Sequence, residues 1–200
     1  DKLHFASRTA LLTALAEEAT SQLRQRVEAA VQDAAHAAPL ARFTSLGQAY
    51  LGWACEHPAQ FRVVSDRRLI DFDGSERLQA DNEAIRQLMG RLLNDGVVPG
   101  IDVRLAQLTA RALAYGLARM ACDGHLDEWT ASGPGGGEAM SAALSFFVQL
   151  LQGGPSAGCA GCSPRLAAPG AAFFGGIIAP INTAEGKRSA VSLLCKDFET

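Results

Sequence analysis

The sequence predicts an all-α protein, a bundle of amphipathic helices, and three observations carry that prediction. Apolar residues return at helical spacing through one segment after another, and no run of alternating apolar and polar residues is long enough to demand a sheet. Residues suited to helix starts, Ser7, Pro39, Ser75 and Asp102, stand where those patterns begin. Gly96 and Gly124 stand where two of them stop.

Residues 7–32 form one long pattern in which Leu11, Leu15, Ala19, Leu23, Val27 and Val31 recur every four residues. Glu17, Glu18, Ser21, Arg24, Gln25 and Glu28 take other faces, and the Ser7 hydroxyl is placed to accept a free N–H of the first turn. Pro39 opens a second helix that runs to about Glu56, with Leu40, Phe43, Leu46, Tyr50, Trp53 and Ala54 in its apolar stripe. Pro58 breaks that helix or starts a short new one, "PAQFRVVS", and "DRRLIDFDG" reads as a loop. Ser75 caps the next helix, which ends near Asp95-Gly96.

"VVPGI" connects to a helix capped by Asp102 and stopped at Asp123-Gly124. Leu105, Leu108, Ala112, Leu113, Tyr115, Gly116 and Leu117 leave it apolar on most sides, as expected of a helix buried in a core or against a partner. After the glycine-rich "ASGPGGG" comes a final helix, "EAMSAALSFFVQLLQ". Beyond Gln152 the composition turns abruptly to Gly, Pro and Ala, with no helical or strand period. Residues 153–200 are expected to be a poorly ordered tail, with room for a short helix at "SAVSLLCKDF".

A chain of 200 residues suffices for one ample core, or for one domain with a small attachment. Apolar residues make up 48% and charged ones 20%, the balance of a soluble globular protein. The formal net charge of -3 argues against a surface that grips nucleic acid as a whole, and leaves room for a local basic contact. No stretch approaches the roughly 18 uninterrupted apolar residues of a membrane span, and no basic-then-apolar signal peptide opens the chain. No membrane partner is expected. The cysteines number five, an odd count; Cys55 and Cys122 fall inside helical patterns, where a free thiol acts as a small apolar filler. That usage points to a reducing, cytoplasmic setting.

Few motifs carry chemistry. Cys159-Ala-Gly-Cys162 has the spacing of a zinc or redox pair, but zinc needs two further ligands and only Cys195 and the scattered His4, His36, His57 and His125 remain. "GPGGG" at 133–137 precedes a helix yet lacks the Lys and Ser/Thr of a phosphate loop. Glu56-His57 has no partner at helical spacing, and His57 before Pro58 reads as a helix end. Asp66, Arg67 and Arg68 read as a solvated loop cluster. With no nucleophile–base pair in view, neither an enzyme nor a cofactor is expected. The aromatic and thioether residues Tyr50, Trp53, Phe61, Phe72, Met89 and Tyr115 define the candidate cavity between helices; plain core packing is the alternative for each singly.

Two stretches carry a family resemblance. Lys2-Leu3-His4-Phe5, followed by Ala6-Ser7-Arg8-Thr9-Ala10-Leu11-Leu12, resembles the junction between the DNA-binding head and the ligand-binding body of TetR-type transcriptional regulators. His4, Phe5, Ser7, Leu11 and Leu12 match; Arg8 stands where Lys is usual and Lys2 where Tyr is usual. "GQAYLGWACEHPAQFRVV" is similar to a stretch of the TetR subgroup named for a Trp-His-Gly signature, through Tyr50, Ala54, Glu56, His57, Pro58 and Phe61. Of the signature itself Gly116 remains, Tyr115 replaces the His, and Arg111 stands near the expected Trp.

The resemblance covers about residues 2–152 and implies an all-α, TetR-like C-terminal ligand-binding and dimerisation domain. It implies residues 1–10 as a remnant of the helix-turn-helix head, 11–152 as the body, and 153–200 as the tail. It further implies a homodimer whose last two body helices pack with the partner's pair, with Leu113, Gly116, Leu117, Phe146, Phe147 and Leu150 at the interface. Lys2, His4 and Arg8 would touch the DNA backbone, contacts that position a protein without reading sequence. The expected function is a ligand-responsive regulator, a repressor by the usual pattern, that binds operator DNA as a homodimer and answers to a small apolar or aromatic effector. Most of the recognition helix would precede Asp1, so the chain as given is expected to dimerise and bind ligand but to bind operator poorly. Two rivals stay open: a small helical redox or metal-binding protein using Cys159 and Cys162, and an α-helical interaction module without ligand.

Overall fold

Ser7 starts the first helix as its chemistry requires: its hydroxyl accepts the Ala10 N–H at 3.1 Å. A computed structural model of the chain describes residues 7–130 and 135–153. The all-α expectation holds: among the described residues there are helices and no strand. In chain order the helices are α1 (Arg8–Asp33), α2 (Pro39–Glu56), α3 (Pro58–Ser65), α4 (Glu76–Gly96), α5 (Val103–Asp123), α6 (Asp127–Thr130) and α7 (Gly136–Leu151).

α1 departs from its sequence pattern at one end. Its buried residues are Ala16, Ala19, Thr20, Leu23, Val27 and Val31, whereas Leu11 and Leu15 are exposed. The cause is geometric. A step of four residues overshoots the 3.6-residue turn by about 40°, so three steps back from Leu23 the row has rotated by about 120°. Leu12 and Ala16 take the inner place and pack against Ile70 and Leu78.

α2 is the centre of the bundle, touching α1, α3, α4, α5 and α7. It buries Leu40, Phe43, Leu46, Tyr50, Leu51, Trp53 and Ala54, and with them Leu93 of α4 and Leu144 of α7 form the main core. Each such aliphatic or aromatic side chain contributes about 1.5–3 kcal/mol on full burial. Pro58 separates α2 from α3 because it has no N–H to donate to the Ala54 carbonyl. That carbonyl instead receives Cys122 Sγ of α5 at 3.7 Å. The His57 N–H still donates to the Trp53 carbonyl at 2.9 Å and closes α2.

The loop before α4 is tied to α1. The Asp71 N–H donates to Thr13 Oγ1 at 2.9 Å. The Ser75 hydroxyl donates to Glu17 Oε1 at 2.6 Å and accepts the Leu78 N–H at 3.1 Å, so it anchors the loop and caps α4 at once. Asp102 caps α5 by accepting from the N–H groups of Arg104 and Leu105. At its other end Gly124 takes the left-handed conformation, φ 78°, which a side chain would strain. The His125 N–H reaches back to the Met120 carbonyl and the Gly124 N–H to that of Ala121, the bond pattern of a Schellman stop. α6, a single turn, has no counterpart in the sequence reading.

α5 resolves one alternative. Only Ala106, Ala110 and Ala118 of this helix are fully buried, while Leu105 and Leu108 are 61% and 66% exposed. Its apolar character is therefore not consumed by the core of a single chain. No helix among the described residues is long and apolar enough to cross a membrane.

Candidate functional site

A cavity of about 900 Å³ opens between the loop before α4, one face of α4 and the first half of α5. Gln79, Asn82, Glu83, Arg86 and Met89 follow one another at helical spacing along α4, and Arg104, Gln107, Leu108 and Arg111 do so along α5. Arg67 and Phe72 come from the loop, and Ile85 adds to the apolar wall. Gln107 Nε2 donates to the Arg86 carbonyl at 2.7 Å, tying the two walls together. Gly90 lies beside Gln107: a Cβ there would sit 3.5 Å from its Nε2, so the helices approach closely.

Of the aromatic and thioether set named from the sequence, Phe72 and Met89 line this cavity. Tyr50, Phe61 and Tyr115 are outside its lining: they form a ladder of rings, with centroids 6.4 Å apart for Tyr50 and Phe61 and 5.9 Å for Phe61 and Tyr115, in which Tyr50 and Phe61 belong to the main core and Tyr115 is 36% exposed. Arg111 joins the ladder to the cavity, its guanidinium carbon 5.6 Å from the Tyr50 ring centre. Burial pushes the Tyr50 phenol up from its ordinary value, against the opposing pull of Arg111. Trp53 belongs to the core, 1% exposed and stacked obliquely on His57 at 5.6 Å, and is not among the lining residues.

The charges of the cavity were not legible as a set. Arg68 pairs with Asp66 at 3.0 Å, as a solvated loop cluster should. Arg67 does otherwise: it turns back over Phe72, its guanidinium carbon 3.1 Å from the ring centre, and enters the lining. Burial, then the nearby charge of Arg111, holds the Arg67 guanidinium below its usual range. Glu83 pairs with Arg86 at 2.6 Å and also accepts from Gln87, which draws its carboxyl down from the ordinary carboxylate value. The seven-residue spacing of Arg104 and Arg111 was the one sequence signal that could have placed two of these arginines on a single helix face.

A second feature lies on α5 and α7, which pack against each other. Phe146 and Leu150 of α7 are 61% and 45% exposed, and Leu105 of α5 is 61% exposed. Leu113, Gly116, Leu117 and Phe147 are half-buried. Leu117 and Phe147 pack against the core, and a Cβ on Gly116 would meet nothing within this chain.

Arg8 is exposed in the first turn of α1. Lys2, His4, Cys159, Cys162 and Cys195 lie outside the described residues, as does the tail apart from Gly153. Glu56 is held by Arg26 in a two-pronged pair, at 2.5 and 2.7 Å, and is not among the residues that line the cavity. Among the described residues no group of three or more His, Cys, Asp or Glu side chains is placed to hold a metal ion.

Residues 43–144 match the family model described as tetracyclin repressor-like, C-terminal domain. The chain is also similar to a solved structure described as a protein with unknown function from Rhodococcus sp. RHA1. That similarity has a TM-score of 0.62 and 28% identity, and covers 74% of this chain and 77% of the other. No curated protein matches the chain.

Proposed function

We infer the function from one premise: the chain belongs to the tetracyclin repressor-like, C-terminal domain family. It is the effector-binding and dimerisation body of a cytoplasmic transcriptional regulator, a repressor by the family's usual pattern, and not an enzyme. Residues 11–152 are the body, residues 1–10 carry the junction to a helix-turn-helix head, and the tail from 153 lies outside both. The Glu56-His57-Pro58 break between α2 and α3, with Phe61 beyond it, supports a place near the Trp-His-Gly subgroup.

The observation that carries this reading is the pairing of a cavity on α4 and α5 with an exposed apolar face on α5 and α7. The first suits a small apolar or aromatic effector, with Phe72 and Met89 as wall and Arg111 joining the wall to the Tyr50 ring of the core. The second suits a homodimer through Leu113, Gly116, Leu117, Phe146, Phe147 and Leu150, with Leu105 added. Because α5 serves both, an effector that favours one setting of α5 also favours one spacing of two DNA-binding heads. Exposed Leu11 and Leu15 on the first turns of α1 offer apolar surface to such a head, and Lys2, His4 and Arg8 its backbone contacts to operator DNA.

Sedimentation equilibrium tests the assembly. The 200-residue chain is expected to run as a dimer at micromolar concentration. A monomer throughout that range would defeat the reading. Tight, sequence-specific operator binding by this chain in a gel shift would defeat the assignment of base reading to a separate head.

A further inference from the structure

The cavity that the proposed function makes an effector site is, for its size, unusually rich in arginine. Arg67, Arg86, Arg104 and Arg111 line it against a single acidic residue, Glu83, in a chain whose formal net charge is -3. Glu83 is already engaged by Arg86. Among the described residues three of these arginines, Arg67, Arg104 and Arg111, have no ion-pair partner, although Arg24, Arg26, Arg62, Arg77 and Arg119 elsewhere in the bundle do. Of these, Arg67 and Arg111 each lie over an aromatic ring, Arg67 over Phe72 and Arg111 over Tyr50, a contact with the ring face that leaves the N–H edge of a guanidinium available to an anion. Both belong to the lining of the one cavity, Arg67 from the loop before α4 and Arg111 from α5.

The other polar groups of the wall are partly engaged already. Gln79 Nε2 donates to the Phe72 and Asp73 carbonyls, Asn82 Nδ2 to the Leu78 carbonyl, and Gln107 Nε2 to the Arg86 carbonyl. A ligand seeking donors in this cavity finds chiefly guanidinium groups, beside one remaining N–H each on Asn82 and Gln107, and the rest of the wall, Phe72, Ile85, Met89 and Leu108, is apolar.

We propose that the effector is an aromatic or apolar carboxylic acid whose carboxylate is held by Arg67 and Arg111, with its apolar body against Phe72, Ile85 and Met89. A guanidinium fork matches a carboxylate in plane and spacing, and one anion between two like charges removes their mutual repulsion. The same group would link the loop before α4 to α5, the helix that carries the exposed apolar face.

The assignment rests on the reading of this cavity as the effector site, and the test separates the two. The 200-residue chain is titrated calorimetrically with phenylacetate, indoleacetate and naphthoate and with the primary amide of each. At least one acid is expected to bind ten-fold or more tightly than its amide. Arg67→Gln and Arg111→Gln are each expected to abolish that preference, and Arg91→Gln, exposed and outside the lining, to keep it. The comparison of acid with amide on the unaltered chain stands even if a variant fails to fold. Equal binding of acids and amides overturns the charge assignment and leaves the effector cavity in place. A preference that survives both arginine changes overturns the roles of Arg67 and Arg111. Binding of no acid overturns the proposal, and if no amide binds either, the result counts against the cavity itself.

Discussion

Gly47 of α2 meets Leu144 of α7 so closely that a Cβ built on the glycine would lie 2.6 Å from Leu144 Cδ2. Leu144 is 2% exposed, so its methyl can yield only by shifting within the packed core. In an open helix interior Gly→Ala stabilises by about 1 kcal/mol. Here overpacking opposes it at about 1–3 kcal/mol. Gly47→Ala is expected to lower the urea midpoint, by up to about 2 kcal/mol in stability. Leu144→Ala alone costs about 2–5 kcal/mol through its cavity. In that background Gly47→Ala should become neutral or stabilising, because the added methyl enters the vacated space. An equal gain in both backgrounds would mean that α2 and α7 are not held at this distance.

Arg24 and Asp81 join α1 to α4 by an ion pair at 3.0 Å, with the Asp81 side chain 6% exposed and that of Arg24 35%. Asp81 Oδ2 has no hydrogen-bond partner among the described residues, so the Arg24 contact carries the carboxylate's compensation. Arg24→Met leaves that charge buried and alone, at a cost of about 2–4 kcal/mol, towards the lower end because Arg24 is partly solvated. Asp81→Asn should cost less, and Arg24→Met with Asp81→Leu less than Arg24→Met alone. Thermal denaturation of the three variants decides; losses within about 0.5 kcal/mol of zero for Arg24→Met would show that the pair is solvated in practice.

The fold was legible because its signals are local. Ser7, Ser75 and Asp102 start helices and Gly124 stops one, through bonds to residues two to four positions away, and those bonds are present. Leu11 and Leu15 misled because a four-residue recurrence is close to the helical period without equalling it. The site was legible only in part. Phe72 and Met89 announce themselves as apolar wall, but the role of Arg67 depends on its turning back over Phe72, and that of Arg111 on the crossing of α5 over α2. A single sequence does not state which separated charges share one space. Nor could residue type separate Tyr50, Trp53 and Phe61, which fill the core, from Phe72 in the cavity wall.

Acid should weaken the protein partly through Glu56. The Arg26 guanidinium, by direct hydrogen bonds, holds the Glu56 carboxyl below its ordinary value of 4.5, and His57 adds a smaller pull. A carboxyl lowered in the folded state contributes stability that is complete above its unfolded value and is lost as pH falls through the folded one. The stability difference between the unaltered chain and Glu56→Gln should therefore be constant at neutral pH and shrink once pH passes below 4.5. Urea midpoints measured across that window test it. A difference that grows with acidity would reverse the sign and exclude the pair as its source.

Charge placed on the α5–α7 face should split the proposed dimer without harming the fold. Leu105 and Phe146 are each 61% exposed, so in one chain alone Leu105→Glu or Phe146→Glu removes little core packing. In a dimer each would bury a carboxylate where an apolar side chain contributes about 1.5–3 kcal/mol. A loss of about 2.7 kcal/mol corresponds to a hundred-fold weaker dissociation constant. Either variant is expected to raise that constant by a hundred-fold or more in sedimentation equilibrium, with helical circular dichroism unchanged. Leu11→Glu, exposed on α1 and remote in sequence from both helices, is the control and should leave the dimer intact. If Leu11→Glu dissociates the protein and the other two do not, the copies meet through α1, and the apolar face of α5 and α7 must be covered by something else.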